Sequence, residues 1–156
     1  MQYHTITAAG LQTLKDEVTA LQQARPAKIA ALAAAAALGD RSENADYTAA
    51  KRDLRQLEGR LRYLDRLIRY AEVVPPTDQA IVALGQWVTV RFDDEPASET
   101  YHLVGPHEAS MAAANLASDS PLGHALMAHG VGDTVTVQAP SGAYPVTIMG
   151  IRSDMV

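Results

Sequence analysis

The chain has 156 residues, a length sufficient for one large domain or two small ones, and 47% of its residues are hydrophobic and 5% aromatic. It has no cysteine, which excludes disulfides and thiolate metal sites and predicts a cytoplasmic protein. The net charge of −5 is unevenly divided, since residues 1–76 carry 11 Lys/Arg and 9 Asp/Glu and residues 77–156 carry 2 and 9, so any surface that faces nucleic acid is expected in the first half.

Two long helices are predicted in this first half. On the second helix, predicted over residues 43–72, apolar residues recur at alternating steps of three and four, a pattern typical of a coiled coil. The first helix shows similar spacing from Leu11 to Ala36, and Pro26 is predicted to kink or restart it. The apolar positions of the second helix are Tyr47, Ala50, Leu54, Leu57, Leu61, Leu64, Ile68 and Ala71.

A short, mostly polar segment, residues 38–43, connects the two helices. So short a connection predicts an antiparallel hairpin. Gly39 suits a helix C-cap, and Asp40 or Ser42 suits an N-cap. From spacing alone, Asp40 and Glu43 favour a capping box over a catalytic pair.

The longest apolar run, residues 29–38, is about half of what a membrane span requires, so no membrane partner is expected.

The segment after the second helix, residues 73–78, contains two prolines and predicts a domain boundary. We therefore divide the chain into a hairpin of residues 1–74, a linker of residues 75–79 and a second domain of residues 80–156. The second domain has period-two strands at residues 87–92, 100–104, 134–137 and 144–148, with a turn at 140–142. Ser120 and Pro121 suit the N-cap and first position of a short helix. The fold class is α+β, with a mostly antiparallel sheet.

Several short motifs follow one another along the chain: Thr7, Gly10 and Leu14, then Arg25-Pro26, the turn at residues 39–47, residues 119–126, residues 132–135 and residues 140–142. In this order they resemble the Gre transcript-cleavage factors, GreA and GreB. This resemblance implies an antiparallel coiled coil joined to an FKBP-like domain. It also implies that the FKBP-like domain docks on bacterial RNA polymerase, that the coiled coil enters the secondary channel, and that the chain acts as a monomer.

The resemblance places catalysis on Asp40 and Glu43. It implies that these carboxylates complete a Mg²⁺ site in the polymerase and stimulate endonucleolytic cleavage of backtracked RNA near its 3′ end. Two carboxylates are too few for a free-standing Mg²⁺ site, so the free protein is expected to bind no metal. The chain would then be a catalytic co-factor of the polymerase and not an enzyme by itself.

Basic residues near the turn are candidates for contacts with this RNA. Lys51, Arg52 and Arg55 lie within about three helical turns of the acidic pair, although such charges are usually solvated. Lys51 matches a basic position of the family. Residues 33–37, before the turn, are all alanine where GreA-like chains often carry a basic residue, and the GreB-like Arg41 could compensate.

For polymerase binding, the resemblance indicates Asp119, Ser120 and Pro121.

Two alternatives remain open on the sequence alone. The chain could be a paralogue that docks on polymerase without supporting cleavage, as an inhibitor or a competitor for the channel. It could instead be a coiled-coil adaptor or a prolyl isomerase, although few aromatic residues are available to line a proline pocket. Ser42 and Asn44 could hold water or RNA, or could serve only as turn residues.

Overall fold

The computed structural model describes residues 2–39, 44–77 and 79–153, and the chain divides into two compact units. The first unit comprises residues 12–70. The second unit contains residues 2–11 together with the chain from residue 71 onward. No helix in the described residues is long and apolar enough to cross a membrane.

Two long helices form the first unit, α1 (Ala8–Ala36) and α2 (Ala45–Arg69). Their side-chain contacts show that they run antiparallel, because partners on α1 move toward its end as partners on α2 move toward its beginning. Pro26 lies inside α1, so the predicted restart of the helix at this proline is wrong. The helix continues past Pro26 even though this proline removes one backbone hydrogen bond from it. The contacts are Glu17–Arg60 at 2.6 Å, Arg25–Glu58 at 3.0 Å and Ala35–Asn44 at 2.7 Å.

The interior of the hairpin is made by a few aliphatic side chains. Leu14 on α1 is buried, as are Leu57, Leu64 and Leu67 on α2. The predicted apolar seam is correct in part, since Leu57 and Leu64 belong to it. Ile29, which lies within the predicted apolar spacing between Leu11 and Ala36, is 40% exposed. The apolar face of α1 is therefore narrower than its spacing indicates.

The second unit begins with a two-stranded parallel sheet that the sequence does not predict. β1 (His4–Ile6) pairs with β2 (Ala71–Val73). Because β2 takes these residues, α2 ends at Arg69 and not at residue 72. The two units divide at residues 70 and 71, whereas the predicted hairpin ran to residue 74. Residues 2–11, including β1, also belong to the second unit.

A five-stranded sheet forms most of the second unit. Its elements are β3 (Trp87–Phe92), β4 (Ser98–Val104), β5 (Asn115–Ala117), α3 (Pro121–Leu126), β6 (Thr134–Ala139) and β7 (Gly142–Arg152), with one 3-10 turn at Ala109–Met111. The strand order is β5-β4-β3-β7-β6, and all neighbours are antiparallel except β4 and β5, which are parallel. The four strands predicted from period-two patterns are present, and the α+β class with a mostly antiparallel sheet is confirmed.

Alternate residues of the central strands point to one side of this sheet and form its core. Val88 and Val90 on β3 and Val146 and Ile148 on β7 are fully buried there. Leu126 of α3 packs against the same cluster. Gly142 opens β7 at a φ of +128°, a conformation that favours glycine in the predicted turn. The core is built mainly of valine, leucine and isoleucine, as the shortage of aromatic residues predicts.

A buried carboxylate fixes the beginning of the chain within the second unit. Glu108 is 1% exposed, and its carboxylate accepts hydrogen bonds from the backbone N–H groups of Thr7 and Gly105 at 2.9 and 2.7 Å. The Thr7 hydroxyl also donates to Glu108 and accepts from the Gly10 N–H at 3.0 Å. Thr7 thus caps the first turn of α1 while Glu108 holds Thr7 in place.

Candidate functional site

The acidic turn between the helices, Asp40 to Glu43, lies outside the described residues. The proposed catalytic pair, Asp40 and Glu43, and the neighbouring Arg41 therefore remain predictions from the sequence. Gly39, just before the turn, has a φ of +119°, a conformation that favours glycine, but α1 ends three residues earlier at Ala36, so Gly39 is not adjacent to the end of the helix as predicted.

Asn44 closes the hairpin on the other side of the turn. Its side-chain oxygen accepts a hydrogen bond from the Tyr47 N–H at 3.0 Å, so Asn44 is the N-cap of α2. Its amide group donates to the Ala35 carbonyl at 2.7 Å. The prediction that Asp40 or Ser42 caps this helix is therefore wrong, because the helix begins at Ala45 and Asn44 supplies the cap. Of the two alternatives for Asn44, the structure shows a turn and capping role.

Three basic side chains follow this cap on α2. Lys51, Arg52 and Arg55 are all exposed, and none of them forms an ion pair with the residues that the structure describes. The Lys51 ammonium lies 5.9 Å from the centroid of the Tyr47 ring, which helps to order it near the turn. Exposed cations on a helix surface attract a phosphate backbone.

The basic residues further along α2 are partly engaged in contacts within the hairpin. Arg60 bonds Glu17 across the hairpin, and Arg69 bonds Asp65 one turn away at 2.7 Å. The hydrogen bond from Arg60 is the main cause that lowers the pKa of Glu17, and Glu17 in turn raises the pKa of Arg60. Both pairs are largely solvent-exposed, so each contributes little to stability.

The candidate polymerase-binding segment opens α3 in the second unit. Ser120 is the N-cap, as predicted, because its hydroxyl oxygen accepts from the Gly123 N–H at 3.1 Å. The same hydroxyl donates to the Ala117 carbonyl at 2.6 Å. Asp119 and Pro121 on either side are exposed. Ser120 is therefore held by the fold, whereas Asp119 and Pro121 are available to a partner.

One histidine, His107, interacts electrostatically with Asp119. The rings of His4 and His107 meet edge to face with centroids 4.7 Å apart. Burial lowers the pKa of His107 below its ordinary value, His4 lowers it further, and Asp119 acts in the opposite direction. His4 lies on β1, so β1 contacts the loop that holds His107.

Within residues 2–39, 44–77 and 79–153, no group of three or more His, Asp or Glu side chains could hold a metal ion. The carboxylates proposed to share Mg²⁺, Asp40 and Glu43, lie outside these ranges. Two carboxylate groups are suitable oxygen ligands for Mg²⁺ when another protein completes the coordination. The donor set therefore fits a shared site and not a closed one.

Comparisons with known proteins match both halves of the chain to one family. Residues 77–153 match the model described as "Transcription elongation factor, GreA/GreB, C-term", and residues 4–73 match "Transcription elongation factor, N-terminal". The chain is similar to transcription elongation factor GreA 1 of Lactiplantibacillus plantarum, with 47% identity over 150 residues that cover 96% of each chain. It is also similar to transcription elongation factor GreA of Acidiphilium cryptum, with 37% identity covering 97% of this chain and 99% of that one.

Among solved structures, the crystal structure of the GreA factor homolog 1 (Gfh1) protein of Thermus thermophilus is 20% identical, with a TM-score of 0.45, and the match covers 97% of this chain and 99% of that one. The two family models together span nearly the whole chain, and the sequence identity to the named relatives is well above 30%. The chain belongs to the GreA/GreB family of transcription elongation factors.

Proposed function

We propose that this elongation factor binds bacterial RNA polymerase through the secondary channel and stimulates the polymerase's own endonucleolytic cleavage of backtracked RNA, which rescues arrested complexes. The observation that carries this proposal is a group of exposed cations, Lys51, Arg52 and Arg55, which form no ion pair within the described residues and follow the acidic turn in the sequence. One hairpin would then supply both acidic groups for a metal and basic groups for RNA. The names of the relatives, all elongation factors, support an active factor over a silent paralogue.

In this mechanism the polymerase holds the RNA and most of the metal ligands. Asp40 and Glu43 would add oxygen ligands from the hairpin to a Mg²⁺ ion there, and the metal would supply activation of the attacking water and stabilisation of charge on the leaving oxygen. The Asn44 cap and the Asn44–Ala35 hydrogen bond tie the ends of the two helices together, and Asn44 directly follows Glu43 in the sequence. The chain thus supplies ligands and their positioning, and the polymerase supplies the active site.

The direct test is an RNA cleavage assay with purified backtracked complexes of the cognate polymerase. We expect the wild-type chain to shorten the RNA from its 3′ end and to restore elongation with Mg²⁺ present. A chain that binds the polymerase and leaves backtracked RNA intact would overturn the proposal in favour of a competitor for the channel.

The basic residues on α2 give a second prediction. Replacing Lys51, Arg52 and Arg55 by alanine should impair cleavage of long backtracked RNA more than removal of two or three nucleotides, because phosphate contacts accumulate with RNA length. The slope of log activity against log salt should flatten by about 2, since each single-strand phosphate contact contributes roughly 0.7. The control variant Lys15→Ala/Arg62→Ala/Arg66→Ala removes three cations elsewhere. It should change neither the ratio of long-RNA to short-RNA cleavage nor the slope of log activity against log salt. Equal losses on long and short RNA would contradict an RNA-binding role.

The segment at the start of α3 gives a third prediction. Changing Asp119→Asn and Pro121→Ala together should weaken polymerase binding and cleavage by the same factor, with little change in the thermal midpoint, because both side chains are exposed. The Ser120→Ala control should behave differently and lower stability by about 1 kcal/mol through loss of the cap. Binding by competition and unfolding by circular dichroism separate the two results. Unchanged polymerase affinity in the Asp119/Pro121 variant would show that this segment does not contact the polymerase.

A further inference from the structure

A groove opens in the second unit where β3 ends and β7 begins. Phe92, the last residue of β3, pairs in register with Val146, and its ring lies 6.0 Å from that of Tyr144. Both rings are half-buried and pack against the core on one side. The groove has a volume of about 510 Å³, within the range of sites that hold a small ligand. We call it the aromatic groove, and it is lined by Phe92, Asp93, Asp94, Glu95, Tyr144 and Pro145.

Carboxylates surround this apolar surface. Asp93, Asp94 and Glu95 are exposed, and none of them forms an ion pair with any residue that the structure describes. The only side-chain hydrogen bond to this acidic rim in the described residues comes from the Thr147 hydroxyl, which donates to Asp93 at 3.1 Å. The rim therefore keeps most of its acceptor capacity for a partner.

The neighbouring Tyr101 adds a neutral group to the same side. Its hydroxyl donates to Glu99 at 2.5 Å. Burial, followed by this hydrogen bond, raises the pKa of Tyr101 to about 12, so the hydroxyl stays protonated near neutral pH. Glu99 is thereby held beside Tyr101 and contributes a further negative charge near the groove.

Aromatic rings flanked by carboxylates select a particular chemistry. A guanidinium group is planar, stacks on aromatic faces and donates paired hydrogen bonds to a carboxylate. A phosphate would be repelled by the same rim. The aromatic groove therefore suits an arginine side chain better than RNA or DNA.

We propose that the aromatic groove binds an arginine-bearing segment of RNA polymerase, as a second contact separate from Asp119 and Pro121. The proposal rests on the proposed function. The two contacts lie toward opposite ends of β4, because Ser98 at its start pairs with Arg91 beside the groove and Val104 at its end pairs with Ala117 before Asp119. A seven-residue strand separates its ends by about 20 Å, so the contacts can be tested independently.

A first test uses a small probe on the full-length chain. N-acetyl-arginine amide should shift the NMR signals of the Phe92 and Tyr144 rings, while N-acetyl-citrulline amide, its neutral counterpart of nearly the same shape, should shift them much less. The shifts should also diminish as salt is added, because the rim is exposed. Equal shifts with both probes, or no shift with arginine, would overturn the proposal.

A second test measures affinity for the cognate polymerase. The variant Asp93→Asn/Asp94→Asn/Glu95→Gln should bind at least about tenfold more weakly, because paired charges at an interface contribute strongly when desolvated. The control Asp16→Asn/Asp65→Asn/Glu72→Gln removes the same charge elsewhere and should bind like wild type.

The outcomes of this second test are distinguishable. If wild type binds and the groove variant binds equally well, the groove proposal is overturned while the proposed function stands. If wild type itself fails to bind polymerase, the proposed function fails and this proposal fails with it.

Discussion

Replacing both Asp40 and Glu43 by alanine should abolish factor-stimulated cleavage of backtracked RNA while leaving polymerase affinity within about twofold of wild type. The two carboxylates are proposed to meet the polymerase only at its metal, so their loss removes metal ligands and no docking surface. Electrostatic stabilisation by a metal contributes several kcal/mol to such a transition state, which corresponds to a loss of at least about a hundredfold in rate.

The matched control for this prediction is Asp46→Ala. Asp46 is an exposed carboxylate in the first turn of α2, close in sequence to the acidic pair. Its charge interacts favourably with the helix dipole, so its removal should cost about 0.3–1 kcal/mol of stability and little cleavage activity. Cleavage rates on a stalled complex and competition binding would be measured for both variants. Wild-type cleavage by the double variant would disprove a metal-ligand role for Asp40 and Glu43.

The parts of the fold that were predictable from sequence are those with a local periodic signal. β3 is predicted at residues 87–92 and observed at Trp87–Phe92, because alternate residues face the core over its whole length. The cap at Ser120 was also predictable, since serine followed by proline is a local helix-start pattern. Both long helices were also predictable from their apolar spacing. Their exact ends were not, since α2 is predicted over residues 43–72 and observed at Ala45–Arg69.

The features that were missed depend on partners far away in the chain. β1 and β2 have only three residues each, too few for a periodic pattern, and they pair across more than sixty residues. Asp40 or Ser42 was predicted as the cap of α2, whereas Asn44 takes this role through the Tyr47 N–H and also donates to the Ala35 carbonyl, nine residues away on α1. Glu108 is an acidic residue in a loop, where exposure is the ordinary expectation, and its partner Thr7 lies 101 residues away.

Gly10 matched the family's opening motif, and its contact with Glu108 explains why a larger residue is unsuitable there. A Cβ atom at Gly10 would lie 1.9 Å from the Glu108 Oε1 atom, far inside any allowed contact. Glu108 cannot move away easily, because its carboxylate is buried and bonded to two backbone N–H groups. The first turn of α1 and the loop around Glu108 therefore depend on each other.

Gly10→Ala should consequently destabilise the second unit by about 1–3 kcal/mol, the usual result of overpacking a rigid site. Gly59→Ala is the matched control, since Gly59 also lies inside a helix and its Cβ would meet only Arg62 at 3.8 Å. Because Gly59 lies in the first unit, that change should leave the urea midpoint of the second unit unchanged, while the better helix propensity of alanine should stabilise the hairpin by roughly 0.5–1 kcal/mol. Trp87, the only tryptophan, lies on β3, so its fluorescence reports unfolding of the second unit in urea.

Variants of Glu108 should show that its hydrogen bonds matter as well as its shape. Glu108→Ala leaves two buried N–H groups without an acceptor and should cost about 3–5 kcal/mol, the larger effect of the series. Glu108→Gln should lose clearly less, because its carbonyl oxygen can still accept from the N–H groups of Thr7 and Gly105 while its NH₂ group donates to the Thr7 hydroxyl. Equal loss in the alanine and glutamine variants would contradict this role. A wild-type urea midpoint in Gly10→Ala would show that the first turn of α1 is not packed against Glu108.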